Sequence, residues 1–171
     1  AQQGIDYLPL FNYCNFSNNQ YASGGLFHIF ESDSIAQFDH CIFAENTVLN
    51  NNNQIDGLFT GTSFNVIFTN CSFGRNNRGV FRLDYGSVIF NNCIVKTSLG
   101  TINGTGKQAN YSFIEYPAEF SPGNMYECLD SWTEGSPGFS AEEDGILRLV
   151  PQSICIDQGN PEQFDPDGTR S

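Results

Sequence analysis

One pattern recurs four times without a gap and constrains the fold more than any bulk property. Phe11-Asn12-Tyr13-Cys14-Asn15-Phe16, Phe38-Asp39-His40-Cys41-Ile42-Phe43, Phe68-Thr69-Asn70-Cys71-Ser72-Phe73 and Phe90-Asn91-Asn92-Cys93-Ile94-Val95 all read F-x-x-C-x-F/V. Their cysteines are 27, 30 and 22 residues apart. A decayed fifth copy falls at Ala109-Asn110-Tyr111-Ser112-Phe113-Ile114, with Ser112 standing where the others carry Cys. Asn19, Asn46 and Asn76 coincide three residues beyond the second aromatic. A second motif lies between these copies: Gly25-Leu26-Phe27, Gly57-Leu58-Phe59, Gly79-Val80-Phe81 and, weakly, Gly100-Thr101-Ile102. Turns are expected between the two motifs, at Glu31–Ser34, Thr60–Ser63 and Asp84–Ser87, with Asn50–Asn53 as an insertion.

A short period carrying two or three brief strands is the signature of a parallel β-solenoid. Leucine-rich repeats need a Leu lattice that is absent here, and propeller blades need about 40 residues each. Stacked coils lie about 4.8 Å apart, so like side chains pile onto like. Phe11, Phe38, Phe68 and Phe90 should form one interior column. Phe16, Phe43 and Phe73 with Val95 form a second, and Phe27, Phe59 and Phe81 a third. Asn19, Asn46 and Asn76 should form an amide ladder at a turn. If Phe27, Phe59 and Phe81 point inward, alternation sends His28, Thr60 and Arg82 outward as a binding face. Composition agrees with strands: aromatics make up 14 % of the chain, with 16 Phe, and 17 Gly supply turns. The expected organisation is a single all-β domain of four to five coils over residues 1–116. An irregular segment, 117–171, packs on or caps it.

The formal net charge of −12 excludes a phosphate-binding surface, so nucleic acid is not an expected partner. No run approaches the roughly 18 apolar residues of a membrane span, so no membrane insertion is expected. The Ala1-Gln2-Gln3 start reads as a mature terminus left by signal-peptide removal, and hence as a secreted chain.

These repeats resemble the "I-x-N-C-x-F … G-G-A-I/F" units of secreted bacterial right-handed parallel β-helix proteins of the pectate-lyase-like superfamily. The C-terminal part is similar as well. Ser136-Pro137-Gly138-Phe139, Ile146-Leu147-Arg148-Leu149, Ser153-Ile154-Cys155-Ile156-Asp157-Gln158-Gly159-Asn160-Pro161 and Asp165-Pro166-Asp167-Gly168-Thr169-Arg170 follow the ending of many such surface proteins. The resemblance implies a right-handed parallel β-helix and an extracellular or cell-surface location. It implies no single activity.

Several residues carry chemistry in principle. Cys14, Cys41, Cys71 and Cys93 occupy equivalent places, and zinc is a poor reading because no C-x-x-C pair exists. Free buried thiols acting as small hydrophobes are favoured, with a bridge between neighbouring coils as the alternative. Cys128 and Cys155 are the candidates for a C-terminal disulfide. Asp165 and Asp167 begin a D-x-D-G pattern that would suit calcium, but the further acids of a calcium loop are missing, so a solvated turn is favoured and no cofactor is required. Asp39 with His40, or Asp84 with Arg82, are the nearest catalytic candidates. Neither forms the carboxylate cluster that polysaccharide lyases and hydrolases need. Four N-x-S/T sequons, at Asn15, Asn70, Asn103 and Asn110, are at the level of chance in a chain with 19 Asn.

The expected role is therefore non-catalytic and structural. Subunits would stack end to end or exchange strands, building a filament, matrix or surface layer from copies of the chain itself. A polysaccharide-binding or adhesive module is the alternative, and a fragment of a polysaccharide lyase or hydrolase the second.

Overall fold

The structure is a computed structural model that describes residues 10–22, 24–29, 35–49, 57–103, 106–115, 149–151, 153, 155, 160 and 162. Fourteen strands follow in chain order, and no helix occurs among the described residues. They are β1 (Leu10–Asn12), β2 (Asn15–Ser17), β3 (Gln20–Tyr21), β4 (Phe27–Ile29), β5 (Ile35–Asp39), β6 (Ile42–Ala44) and β7 (Thr47–Val48). Then come β8 (Phe59–Thr69), β9 (Ser72–Gly74), β10 (Phe81–Asn91), β11 (Ile94–Lys96), β12 (Gly100–Ile102), β13 (Gly106–Asn110) and β14 (Phe113–Ile114).

Every pairing is parallel. One sheet runs β1-β5-β8-β10-β12, with β4 also pairing β8 and β13 pairing β10. A second runs β2-β6-β9-β11-β14, and β3 pairs β7 in a small third. The chain leaves the first sheet, enters the second and returns, advancing one strand in each sheet at every pass. The fold is therefore all-β with parallel sheets.

The passage between the two main sheets is a single residue in the left-handed region. Tyr13, His40, Asn70, Asn92 and Tyr111, each just before the Cys or Ser of the repeat, have φ between 48° and 57°. Asn tolerates that conformation because its short polar side chain bonds locally; Tyr and His sit there at a cost of roughly 1–2 kcal/mol each. The regular pairing around them holds the strain in place.

The register puts like on like. Phe11, Phe38, Phe68 and Phe90 stack at ring-centroid distances of 4.9, 5.2 and 5.4 Å. Phe16, Phe43 and Phe73 stack at 5.1 and 4.7 Å, and Val95 then Ile114 continue their row. Phe27, Phe59 and Phe81 stack at 4.8 and 5.5 Å. Between columns the rings meet edge to face, as Phe38 does with Phe43 at 5.5 Å and with Phe59 at 5.3 Å. Offset stacking along a column and edge contacts across columns are the two arrangements that the ring quadrupole favours.

Three expectations from sequence differ in the structure. Thr60–Ser63 and Asp84–Ser87 are not turns: both lie inside the continuous 11-residue strands β8 and β10. The inward set switches from Phe81 and Leu83 to Val88 and Phe90, so the strand bends at the exposed Asp84 and Tyr85 while its ladder of hydrogen bonds continues. Gly86, at φ 123°, makes that bend. The weak fourth copy, Gly100-Thr101-Ile102, is out of step by two: Gly100 pairs Phe81 and Ile102 pairs Leu83. Leu99 instead continues the row of Leu58 and Val80, its carbonyl accepting from the Phe81 amide at 2.8 Å. The Glu31–Ser34 turn and the Asn50–Asn53 insertion lie outside the described residues.

Candidate functional site

His28, Thr60 and Arg82 do occupy one row of the first sheet, in register across β4, β8 and β10. The row is not an open face, however. Thr60 is 3 % exposed. Gly24 and Gly25, both at φ 83°, carry the chain over it, and a Cβ on Gly25 would come within 2.9 Å of the Thr60 methyl. The Thr60 hydroxyl donates to the Gly24 carbonyl and therefore accepts from His28 Nδ1 at 2.7 Å. That network makes His28 Nδ1 a donor. His28 is exposed and Arg82 half-buried, so the surface available here is two separated side chains.

The Asp39–His40 pair is close. His40 Nδ1 lies 2.9 Å from Asp39 Oδ1, although it is not aligned as a hydrogen bond. Asn70 Nδ2 donates to the same carboxylate oxygen at 3.3 Å. Tyr13, 68 % exposed, stacks on the His40 ring at 4.7 Å. This arrangement offers one carboxylate, one imidazole and an exposed aromatic face. A glycosidase pair needs two carboxylates facing the same bond. Among the described residues no group of three or more His, Cys, Asp or Glu is placed to hold a metal ion.

The asparagines form two ladders that run in opposite directions. Asn19 donates to Asn46 at 2.9 Å, and Asn46 to Asn76 at 3.0 Å. Asn46 therefore occupies both amide hydrogens, since it also donates to the Phe16 carbonyl, and Asn76 donates to the Phe43 carbonyl. In the second ladder Asn92 donates to Asn70 at 2.7 Å, and Asn70 to Asp39. The Asn160 backbone N–H closes that ladder on Asn92 Oδ1 at 2.8 Å, which ties the C-terminal part of the chain to the repeats. Sequence reading found the first ladder by its spacing. The second was hidden because His40 and Tyr13 replace Asn at its far end.

The repeated cysteines are free thiols. Each donates to the carbonyl two residues earlier, and the Cys41 amide donates to Cys71 Sγ at 3.4 Å. Ser112 takes the same place in the last repeat: Cys93 N–H donates to its oxygen at 3.0 Å, and its hydroxyl donates to Asn110 at 2.8 Å. The Cys71 hydrogen bond, and then burial, push the Cys41 thiol far above the ordinary thiol range; burial does the same for Cys71. The thiolate is the reactive form. In the native protein at pH 8, Cys41 and Cys71 should therefore alkylate at least ~100-fold more slowly than in urea, as a time course with iodoacetamide and peptide mapping will show. Cys155 is also free, and burial raises its thiol. Its proposed partner Cys128, and the calcium candidates Asp165 and Asp167, lie outside the described residues.

Sequence reading missed three features. Phe64, Leu83 and Leu99 are fully buried but stand outside the repeated motifs. Lys107 is 5 % exposed and sits in the inward row of Val88 and Val66. Phe113 is fully buried although its row, shared with Ile94 and Ser72, points away from the interior core.

The chain matches no protein-family model, and searches of curated proteins and of solved structures likewise find no similar one.

Proposed function

We propose that the chain is a right-handed parallel β-helix of about five coils. It serves as a non-catalytic, extracellular structural subunit that associates with another β-helix through a coil-stacking edge. The observation that carries this reading is the loss of cover at one end of the ring columns. Phe38, Phe43 and Phe59 are 0–1 % exposed, whereas Phe11, Phe16 and Phe27, the next ring up in each column, are only half-buried. Among the described residues, β1 and β2 pair on one side only. A further coil of the same kind would continue each column at the spacing the chain already uses. Covering one such ring contributes up to roughly 1.5–3 kcal/mol, and strand addition would supply backbone hydrogen bonds as well.

The test is sedimentation of the purified chain over a wide concentration range. Association that strengthens with concentration is expected, and a strictly monomeric chain at the highest concentration would remove the proposal. A second reading, a polysaccharide-binding module, is favoured by the exposed Tyr13 ring beside the Asp39 carboxylate. A Tyr13→Ala variant that leaves glycan-array binding unchanged would dismiss it.

A further inference from the structure

The register that orders the core also lays out the solvent side of the first sheet. Phe38, Phe68 and Phe90 point inward, so the residues on either side of each point out. One outward row reads Gln37, Ile67, Ile89 and Gln108 across β5, β8, β10 and β13. The next reads Asp39, Thr69, Asn91 and Asn110. A third starts at Ile35, 45 % exposed, and runs through Asn65 and Ser87. Tyr85, two residues before Ser87 and opposite Ser63, stands at the rim of this face, where β10 bends, and is 69 % exposed.

Two properties of these rows select a ligand. Asp39 brings the only charge to them, in a chain of net charge −12, so a charged polymer finds no complementary field here. The polar groups are also held in place before any ligand arrives. Ser87 Oγ donates to Asn65 Oδ1 at 2.6 Å, and Asn110 Nδ2 donates to Asn91 Oδ1 at 2.8 Å. With their oxygens engaged, Asn65 and Asn91 keep both amide hydrogens to donate; no other side-chain bond engages either of them among the described residues. A flat face cannot enclose a small molecule, which needs most of its surface covered. It suits an extended chain that adds weak contacts along its length.

We infer that this outward face binds an uncharged polysaccharide. The inference rests on the polysaccharide-binding reading above and extends that site from the Tyr13 corner across β5, β8, β10 and β13. Sugar hydroxyls accept from Asn65 and Asn91. Ile67 and Ile89, side by side at the centre, meet the C–H faces between those hydroxyls. The Tyr85 ring stacks on a sugar at the rim, its electron-rich face against C–H bonds.

The experiment is native affinity electrophoresis of the full chain through gels containing hydroxyethyl cellulose, galactomannan or polygalacturonate. The expected result is retardation by at least one of the two uncharged polymers and none by polygalacturonate. Tyr85→Ala should weaken that binding about tenfold. Asn65→Asp keeps the side-chain shape and the acceptor for Ser87 but removes both amide donors, and should weaken binding about tenfold or more. Unchanged unfolding midpoints separate these losses from misfolding. Retardation by polygalacturonate alone would overturn the uncharged ligand. Binding that Tyr13→Ala abolishes and that both Tyr85→Ala and Asn65→Asp leave unchanged would overturn the face and leave the corner site standing. No retardation in any gel would overturn both.

Discussion

Phe68→Ala is expected to lower the unfolding free energy by about 3–5 kcal/mol, the range for removing a large ring from a closed core. Phe68 is fully buried. It stacks on Phe38 and Phe90 and meets Phe43, Phe59 and Phe73 edge to face at 5.8, 5.3 and 5.0 Å. Each neighbour is held in register by strand pairing on both sides, so the site has little freedom to collapse, and the cavity term should be large. Domains of this size are stable by only about 5–15 kcal/mol in total. Urea unfolding of Phe68→Ala beside Tyr85→Ala, a change on an exposed ring, separates the two expectations. The second should shift the midpoint by the equivalent of less than about 0.5 kcal/mol. Equal losses would mean that the columns do not carry the stability.

Gly86→Ala should be at least as severe, for a different reason. A Cβ at Gly86 would lie 1.9 Å from the Phe64 carbonyl oxygen, and φ is 123°, a conformation side chains rarely adopt. Backbone on both sides of the clash belongs to paired strands, β8 and β10, so neither can yield without breaking the ladder at the bend. The expected loss is about 3 kcal/mol or more. Gly24→Ala is the matched control. Its φ is also positive, at 83°, but nothing lies within 4 Å of the added carbon. It should cost only the left-handed penalty of roughly 1–2 kcal/mol. Thermal unfolding of the two variants measures the clash by difference.

The part of this fold that could be read in advance is the part that repeats. Phe11, Phe38, Phe68 and Phe90 declared their column because the same local motif recurs around each of them although the steps differ, at 27, 30 and 22 residues, and Asn19, Asn46 and Asn76 keep a fixed offset from that motif. The bend at Asp84–Gly86 could not be read in this way. Polar residues and glycine look alike in a turn and in a strand that changes direction without losing its partners. Thr60 was legible as a residue out of the core but not as covered, because its cover comes from Gly24 and Gly25, far off in sequence. Lys107 looks like a surface charge, and only the pairing of Gly106–Asn110 with Ser87–Asn91 turns it inward. The Asp39–His40 contact was found by adjacency; its Tyr13 and Asn70 neighbours needed the register.

The one-strand advance at every pass also governs how the molecule can form. Among the described residues each strand meets its partner across a gap of roughly one period, so no strand pairing waits for distant parts of the chain to find each other. Bringing the first two periods together costs loop-closure entropy with little return. Every later period lands on a ready template, at a cost that changes only slowly with the length of the connecting segment. Assembly should therefore behave as a nucleated zipper, and the central Phe38-to-Phe90 region, with rings above and below, is the natural place for it to start.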